Sequence, residues 1–288
     1  MRRSPDRDAI GIVGLGLIGG SLAKALHAGF PKRTLIGVEP DARTRALARR
    51  SGIFDALRPR PSKQLHRCGI VVLCAPVPAI LRLLGPVSRA MRDGAILTDV
   101  GSVKGPVVTA ARARVRRGVS FVGAHPMFGG ERGGYAAARG DLWAGGAVAV
   151  CTDGPDRTAR DAVARLHRAL GARVVLCTSA EHDAAVAAVS HLPYVVAGAL
   201  ALTASQAGPL ARHLAGRGLA GATRLAAFSY GVQGEAVQAN AYLPRAARSF
   251  QRNLRRLLPA LGASPAKARA AFVRARRVRN SFVRRLPR

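Results

Sequence analysis

Short, fully apolar segments alternate with helical stretches through residues 9–177, and this alternation limits the fold more than any other feature of the chain. Because these segments lack the alternating polar residues of a half-exposed sheet, they indicate strands that are buried on both faces. The pattern predicts an α/β fold of the Rossmann type, in which helices cover both faces of a doubly wound parallel sheet. The predicted strands are residues 9–13, 34–39, 69–74, 95–99, 119–123, 146–151 and 173–177.

The strand pattern stops near residue 178, and long helical stretches follow. We therefore predict two domains, a nucleotide-binding domain over 1–178 and an all-α domain over 179–288. Residues 184–203 are mostly apolar and about twenty residues long, which is the length that crosses a bilayer. This segment is rich in alanine and includes a serine, a histidine and a proline. We therefore expect a buried helix rather than a membrane span.

A glycine-rich turn joins the first predicted strand to the first helix. Its sequence, GLGLIG at 14–19, is the GxGxxG pattern of dinucleotide-binding loops. Glu39 ends the second strand, where an acid accepts a hydrogen bond from a ribose 2′-hydroxyl and repels a 2′-phosphate. The spacing predicts an NAD site, and the nearby Arg43 and Arg45 leave NADP open. The residues assigned to this site are Gly14, Leu15, Gly16, Leu17, Ile18, Gly19, Glu39, Ala75 and Pro76. The last two close the strand at 69–74, either as a wall beside the nicotinamide or as an ordinary turn.

The formal net charge is +31, and thirteen arginines and one lysine lie within residues 236–288. Such a segment can bind nucleic acid or an anionic membrane. Since it contains only four aromatic residues, we expect solvated helix faces and neither of these partners. No apolar signal-peptide core precedes the first strand, and the four cysteines lack metal-ligand spacing. We therefore expect a cytoplasmic location, reduced thiols and no metal.

Four motifs decide the family to which the chain is similar. They are DVGSVK at 99–104, GAHPMFGGE at 123–131, EHD at 181–183 and SHLP at 190–193. In their order and spacing they resemble the prephenate or arogenate dehydrogenases of tyrosine biosynthesis. The resemblance implies NAD-dependent oxidation and decarboxylation of a small cyclohexadiene substrate. It also implies that the helical domain forms a homodimer.

The resemblance further implies individual site residues. His125 would accept the proton of the ring hydroxyl, and Ser102 would orient both the hydroxyl and the histidine. Alternatively, His125 is a structural histidine in a loop, and Ser102 is the N-cap of a helix. Arg224 would bind a substrate carboxylate through two parallel hydrogen bonds. Lys104 either reaches an anionic group or is solvated. The remaining pocket residues implied are His182, His191, Glu131 and Tyr194, with satisfied core histidines and an exposed loop glutamate as alternatives.

The chain departs from the family pattern where the substrate is recognised. Tyr194 stands where the family has histidine, and GLAGA at 218–222 lacks the usual phenylalanine, basic residue and aspartate. Prephenate, arogenate and 4-amino-4-deoxyprephenate therefore all remain candidate substrates. Two other classes of protein are also candidates. A hydroxyacid or imino-acid reductase would need a lysine on the first long helix, and 181–203 contains none. A non-catalytic nucleotide sensor would bind nucleic acid through the basic segment.

Overall fold

The computed structural model describes residues 9–130, 132–228 and 230–284. The chain divides into two compact units. The first unit runs to Ala185 and also includes Phe228–Asn240, whereas the second comprises Val186–Ala227 and the chain from Ala241 onward. The domain boundary predicted at residue 178 lies seven residues before Ala185, where the first segment of this unit ends. The sequence pattern gave no indication that a later segment returns to the first unit.

Six parallel strands form the main sheet of the first unit. They are β1 (Ala9–Val13), β2 (Leu35–Val38), β3 (Ala56–Arg58), β4 (Cys68–Leu73), β5 (Ile96–Asp99) and β6 (Ser120–Val122). Their order is β3-β2-β1-β4-β5-β6, which is the doubly wound arrangement. Every residue of β1, β2, β4 and β5 is buried, as expected for strands covered on both faces. The predicted Rossmann-type sheet is therefore confirmed, with the short β3 as an addition.

A second sheet of three strands follows the main one. Its members are β7 (Ala124–Pro126), β8 (Ala147–Cys151) and β9 (Arg173–Cys177). β7 runs antiparallel to β8, and His125 pairs with Ala149. The expectation that the last two predicted strands continue the parallel series is therefore wrong. β8 pairs with β7 on one side and in parallel with β9 on the other, so both later strands lie in this second sheet and not in the main one.

Twelve α-helices lie within the described residues. They are α1 (Leu17–Gly29), α2 (Ala42–Arg50), α3 (Val77–Ala90), α4 (Gly105–Arg114), α5 (Arg157–Ala169), α6 (Ser179–Val186), α7 (Leu192–Ser205), α8 (Pro209–Leu214), α9 (Arg217–Thr223), α10 (Tyr230–Ala239), α11 (Leu243–Ala263) and α12 (Pro265–Val283). Aspartates begin two of them: Asp41 accepts a hydrogen bond from the Thr44 amide, and Asp156 accepts one from the Ala159 amide. Side-chain caps of this kind satisfy backbone donors that have no partner within the helix.

A π-helical segment, Ala187–His191, joins α6 and α7 into one apolar helix, Ser179–Ser205. Among the described residues this is the one helix long and apolar enough to cross a membrane, a criterion that an apolar soluble helix also meets. Only 22% of its most apolar window is buried. The expectation of a buried helix is therefore wrong for the single chain. Several of its large apolar side chains, Val189 and Leu202 among them, are exposed.

Candidate active site and nucleotide site

The glycine loop has the geometry that each of its three glycines predicts. Gly14 adopts φ +94°, and a Cβ there would lie 2.3 Å from the carbonyl oxygen of Cys74. A Cβ on Gly19 would lie 1.9 Å from the Gly14 oxygen, so α1 packs against the loop as only glycine allows. Gly16 has no other atom within 4 Å of such a position. The middle of the loop therefore leaves room for a pyrophosphate at the N-terminus of α1.

The carboxylate of Glu39 lies against this loop at the end of β2. It accepts hydrogen bonds from the amides of Leu15, at 2.8 Å, and Asp41, at 2.9 Å. Since a carboxylate has about four acceptor positions, two remain for ribose hydroxyls. The guanidinium of Arg45 donates to the main-chain oxygens of Glu39 and Pro40. This arginine is thus engaged with the backbone beside the acid, and the arrangement favours a ribose without a 2′-phosphate.

The turn after β4 lies beside the glycine loop. The amide of Cys74 donates to the Val13 oxygen at 2.7 Å, which ties the ends of β4 and β1 together. Pro76 precedes the first residue of α3 in an extended conformation. Ala75 and Pro76 therefore form a strand-to-helix turn that borders the loop. Both alternatives weighed from the sequence are compatible with this position.

Lys104 is fully buried, so the solvated alternative is wrong. Its Nζ forms an ion pair with the buried Asp99 and donates to the Ala124 oxygen at 2.8 Å. Lys104 is also the N-cap residue of α4, and the alternative of Ser102 as that cap is therefore wrong. Ser102 lies half-buried in the turn between β5 and α4. The lysine thus links this turn to β7, directly beside His125.

His125 and His182 form a direct hydrogen bond. The Nδ1 of His125 lies 2.9 Å from the Nε2 of His182, and the two rings meet edge-on at an interplanar angle of 70°. His125 is half-buried, whereas His182 is 3% exposed. The Nδ1 of His182 in turn lies 2.7 Å from a carboxylate oxygen of Asp183. The structure therefore places two of the predicted site histidines in one hydrogen-bonded chain.

Asp183 is a site residue to which the sequence analysis gave no role. Its carboxylate also accepts hydrogen bonds from the amides of Lys104 and Gly105, and its main-chain oxygen accepts one from the Asn240 side chain. Burial acts to raise the pKa of Asp183, but the hydrogen bonds from His182 and the two amides hold it below its usual value. The EHD motif was the available indication, because it places this acid directly after a predicted site histidine.

The other predicted pocket residues belong to the helical unit. His191 ends the π-helical segment and is 1% exposed. Tyr194 is half-buried in the first turn of α7, and Arg224 is exposed at the start of a short 3₁₀ segment, Arg224–Ala227. Glu131 lies outside the described residues. Among the described residues, no group of three or more metal-ligating side chains could hold a metal ion.

Sequence profiles of known families match both parts of the chain. Residues 22–176 match "Prephenate dehydrogenase, nucleotide-binding domain", and residues 178–269 match "Prephenate dehydrogenase, dimerization domain". Fold and site thus define a nucleotide-binding protein of the doubly wound α/β class. The chain belongs to the prephenate dehydrogenase family, which confirms the resemblance carried by the four motifs.

Individual relatives agree with this assignment. The chain is 30% identical over 229 residues to prephenate dehydrogenase of Bacillus subtilis, and this covers 77% of the chain and 62% of that protein. It therefore spans less than two thirds of that relative's length. The crystal structure of A. aeolicus prephenate dehydrogenase with hydroxyphenyl propionate and NAD⁺ has a TM-score of 0.87 at 25% identity, covering 96% of this chain and 98% of that one. Synechocystis arogenate dehydrogenase has a TM-score of 0.83 at 27% identity, covering 95% and 99%.

Proposed function

We propose that the protein oxidises and decarboxylates prephenate, or a close analogue of it, with NAD. The observation that carries this proposal is the position of His125. It lies in β7, directly after the main sheet, with its Nδ1 engaged by His182. We propose that Nε2, the ring atom opposite this contact, faces the substrate. A neutral imidazole titrates close to physiological pH and suits the removal of a hydroxyl proton.

The reaction balances with one base that both takes and returns a proton. His125 accepts the hydroxyl proton as the carbon–oxygen bond becomes a carbonyl, while a hydride leaves the same ring carbon. The bond to the ring carboxylate then breaks, and its electron pair makes the ring aromatic and reduces the carbonyl to a phenolate. His125 returns the proton to that oxygen, and carbon dioxide departs. Ser102 orients the hydroxyl, and Arg224 binds a carboxylate.

The residues of the glycine loop fit NAD. The open space at Gly16 suits the pyrophosphate, and Glu39 has acceptor positions for ribose hydroxyls. Ala75 and Pro76 would border the nicotinamide ring. When bound, the nicotinamide supplies the acceptor for the hydride. The acid at the end of β2 favours NAD over NADP, because it would repel a 2′-phosphate.

We also infer a cytoplasmic homodimer that uses its helical unit for assembly. Support comes from the dimerization-domain profile over 178–269 and from exposed leucines in the same region. Leu202, Leu210 and Leu214 are each at least 67% exposed in the single chain. Contiguous exposed apolar patches mark protein–protein interfaces, and exposed leucines are the side chains that form them. Among the described residues no disulfide joins the four cysteines, and three of them are buried, which agrees with a reducing compartment.

A substrate panel tests the proposal. Purified protein is incubated with prephenate, arogenate or 4-amino-4-deoxyprephenate, each with NAD or NADP, and absorbance at 340 nm is followed. We expect reduction of NAD with at least one of the three and slower turnover with NADP. The substitution at Tyr194 makes the relative rates of the three substrates informative, because the family has histidine there. No absorbance change with any substrate would refute the proposed activity.

A further inference from the structure

We propose that Asp183 is a positioning residue that acts through His182 to set the tautomer of His125. In this tautomer His125 carries its hydrogen on Nδ1 and presents a lone pair on Nε2. The role of that lone pair as a catalytic base rests on the proposed function. The tautomer itself follows from the hydrogen bonds and can be tested without a substrate.

The carboxylate of Asp183 acts as a hydrogen-bond acceptor on every side for which a contact is seen. It receives three hydrogen bonds, from the amides of Lys104 at 2.7 Å and Gly105 at 2.8 Å and from the His182 ring at 2.7 Å. An ionised carboxylate only accepts hydrogen bonds. The two amides lie at the start of α4, where the helix dipole also favours negative charge. The nitrogen of His182 that faces this carboxylate therefore carries a hydrogen.

The hydrogen on Nδ1 of His182 determines which nitrogen of His125 carries a hydrogen. A neutral imidazole with hydrogen on Nδ1 has its lone pair on Nε2. The Nε2 of His182 lies 2.9 Å from the Nδ1 of His125, so the latter atom is the donor. The acceptor of His125 is consequently Nε2. An aspartate that orients a histidine directly is known from serine proteases, and here a second histidine stands between the acid and the base.

The tautomer of His125 is maintained only if Asp183, His182 and His125 stay aligned, and neighbouring residues hold them in place. Lys104 contacts one end of the hydrogen-bonded chain and the residue next to the other end: its amide donates to Asp183, and its Nζ donates to the oxygen of Ala124, which precedes His125. Asn240 holds the main-chain oxygen of Asp183 at 2.9 Å. Asp99 is a further charged group beside this chain, and it is paired with Lys104. Asp183 and His182 are thus each held by at least two hydrogen bonds, and β7 fixes the backbone of His125.

The direct test is the protonation pattern of the two rings in the full-length protein. Protein labelled with ¹⁵N-histidine contains seven histidines, and single His→Asn variants assign the signals of His125 and His182. Long-range ¹H–¹⁵N spectra distinguish the tautomers. At slightly alkaline pH we expect hydrogen on Nδ1 of both rings. Hydrogen on Nε2 of His125, or a doubly protonated His182, would overturn the proposal, because either reverses the bond between the rings.

The Asp183→Asn variant adds a kinetic test. An asparagine side chain donates as well as accepts, so His182 is no longer held in one tautomer. We expect kcat to fall by a factor on the order of 10²–10⁴, as for an orienting aspartate in serine proteases, with the KM for substrate and the Kd for NAD within about threefold of wild type. The share of His125 with hydrogen on Nε2 rises in the same variant.

The matched control is Asp153→Asn. Asp153 also holds the start of a helix, since its carboxylate accepts hydrogen bonds from the amide and the hydroxyl of Ser179. Unlike Asp183, it has no hydrogen bond to a histidine among these contacts. We expect the control to keep the wild-type kcat. Wild-type kinetics in Asp183→Asn, or an equal loss in both variants, would refute the proposal. If Asp183→Asn does not fold, the wild-type spectra decide. A wild-type protein inactive on the whole panel refutes the proposed function alone.

Discussion

The two units of the molecule solve the burial of apolar side chains differently. In the first unit, the central strands β1, β2, β4 and β5 are buried throughout, within the single chain. In the second, helices α8, α9, α11 and α12 have no buried residue. The nucleotide-binding unit therefore forms its core within the single chain, whereas these helices leave their apolar side chains accessible. The difference teaches that a single copy of the chain can bury the core of one unit but not the apolar surface of the other.

The largest effect should come from the chemistry of the first unit. His125→Asn keeps a hydrogen-bonding side chain but removes the base, and kcat/KM should fall by about 10²–10⁴. The Kd for NAD, measured by titration calorimetry, should not change, since the glycine loop is untouched. His66→Asn, at an exposed position of the same unit, serves as the control. Near-normal turnover in His125→Asn would remove this residue from its proposed role.

The next effect concerns acid sensitivity of the first unit. Burial of His167, which accepts a hydrogen bond from Trp143, lowers its pKa from 6.5 to about 4. Above pH 6.5 both states are neutral, whereas below it only the unfolded chain gains the proton. The free energy of unfolding should therefore fall by about 3 kcal/mol between pH 6.5 and 4 because of this group.

Urea unfolding followed by the fluorescence of the single tryptophan measures this dependence. In His167→Gln, which does not titrate, the decrease between pH 6.5 and 4 should be about 3 kcal/mol smaller. His27→Gln, at an exposed position of α1, should keep the wild-type pH dependence. An unchanged dependence in His167→Gln would show that this histidine is not buried as a neutral ring.

A smaller effect should come from Arg224 in the helical unit. Its replacement by glutamine removes a charged donor for the substrate carboxylate, and kcat/KM should fall by about tenfold to 100-fold, mainly through KM. Arg217→Gln, an exposed arginine in α9, controls for loss of positive charge in a chain of net charge +31. Equal losses in the two variants would mean that general electrostatic attraction, not a specific contact, binds the substrate.

The smallest effect should be on assembly. Leu202 is 67% exposed in the single chain, and its truncation in Leu202→Ala should weaken a dimer about fivefold to tenfold. Sedimentation across a concentration series measures the change. Leu47→Ala, at a 43% exposed position of the first unit, should leave the dimer unchanged. A monomeric wild-type protein would contradict the prediction that a second copy of the chain covers the apolar surface of the helical unit.

The main sheet was predictable from the sequence because each of its longer strands is a continuous apolar run. β7 was not predicted, because it has only three residues and ends in proline. Its pairing with β8 depends on a reversal that local periodicity does not record. The apolar helix Ser179–Ser205 was recognised as a helix. Its exposure was missed because composition alone does not say which chain covers an apolar surface.

The candidate site was predictable only in part. Motifs predicted the glycine loop, His125 and His182 as site residues by residue type and spacing, and the structure brings the two histidines into contact. The burial of Lys104 was missed, since an isolated lysine in a sequence is usually solvated. Asp183 was missed as an acceptor because its partner Lys104 lies 79 residues away along the chain. Contacts of that separation arise only when the sheet and the long helix are both in place.

The return of Phe228–Asn240 to the first unit has a consequence for how the molecule can be divided. A cut after Ala185 would separate the nucleotide-binding unit from Asn240, which holds the backbone of Asp183. The two units are therefore interleaved in the chain and cannot be exchanged between relatives by joining a front half to a back half. Recombination within this family should succeed only where both crossings of the chain are inherited together.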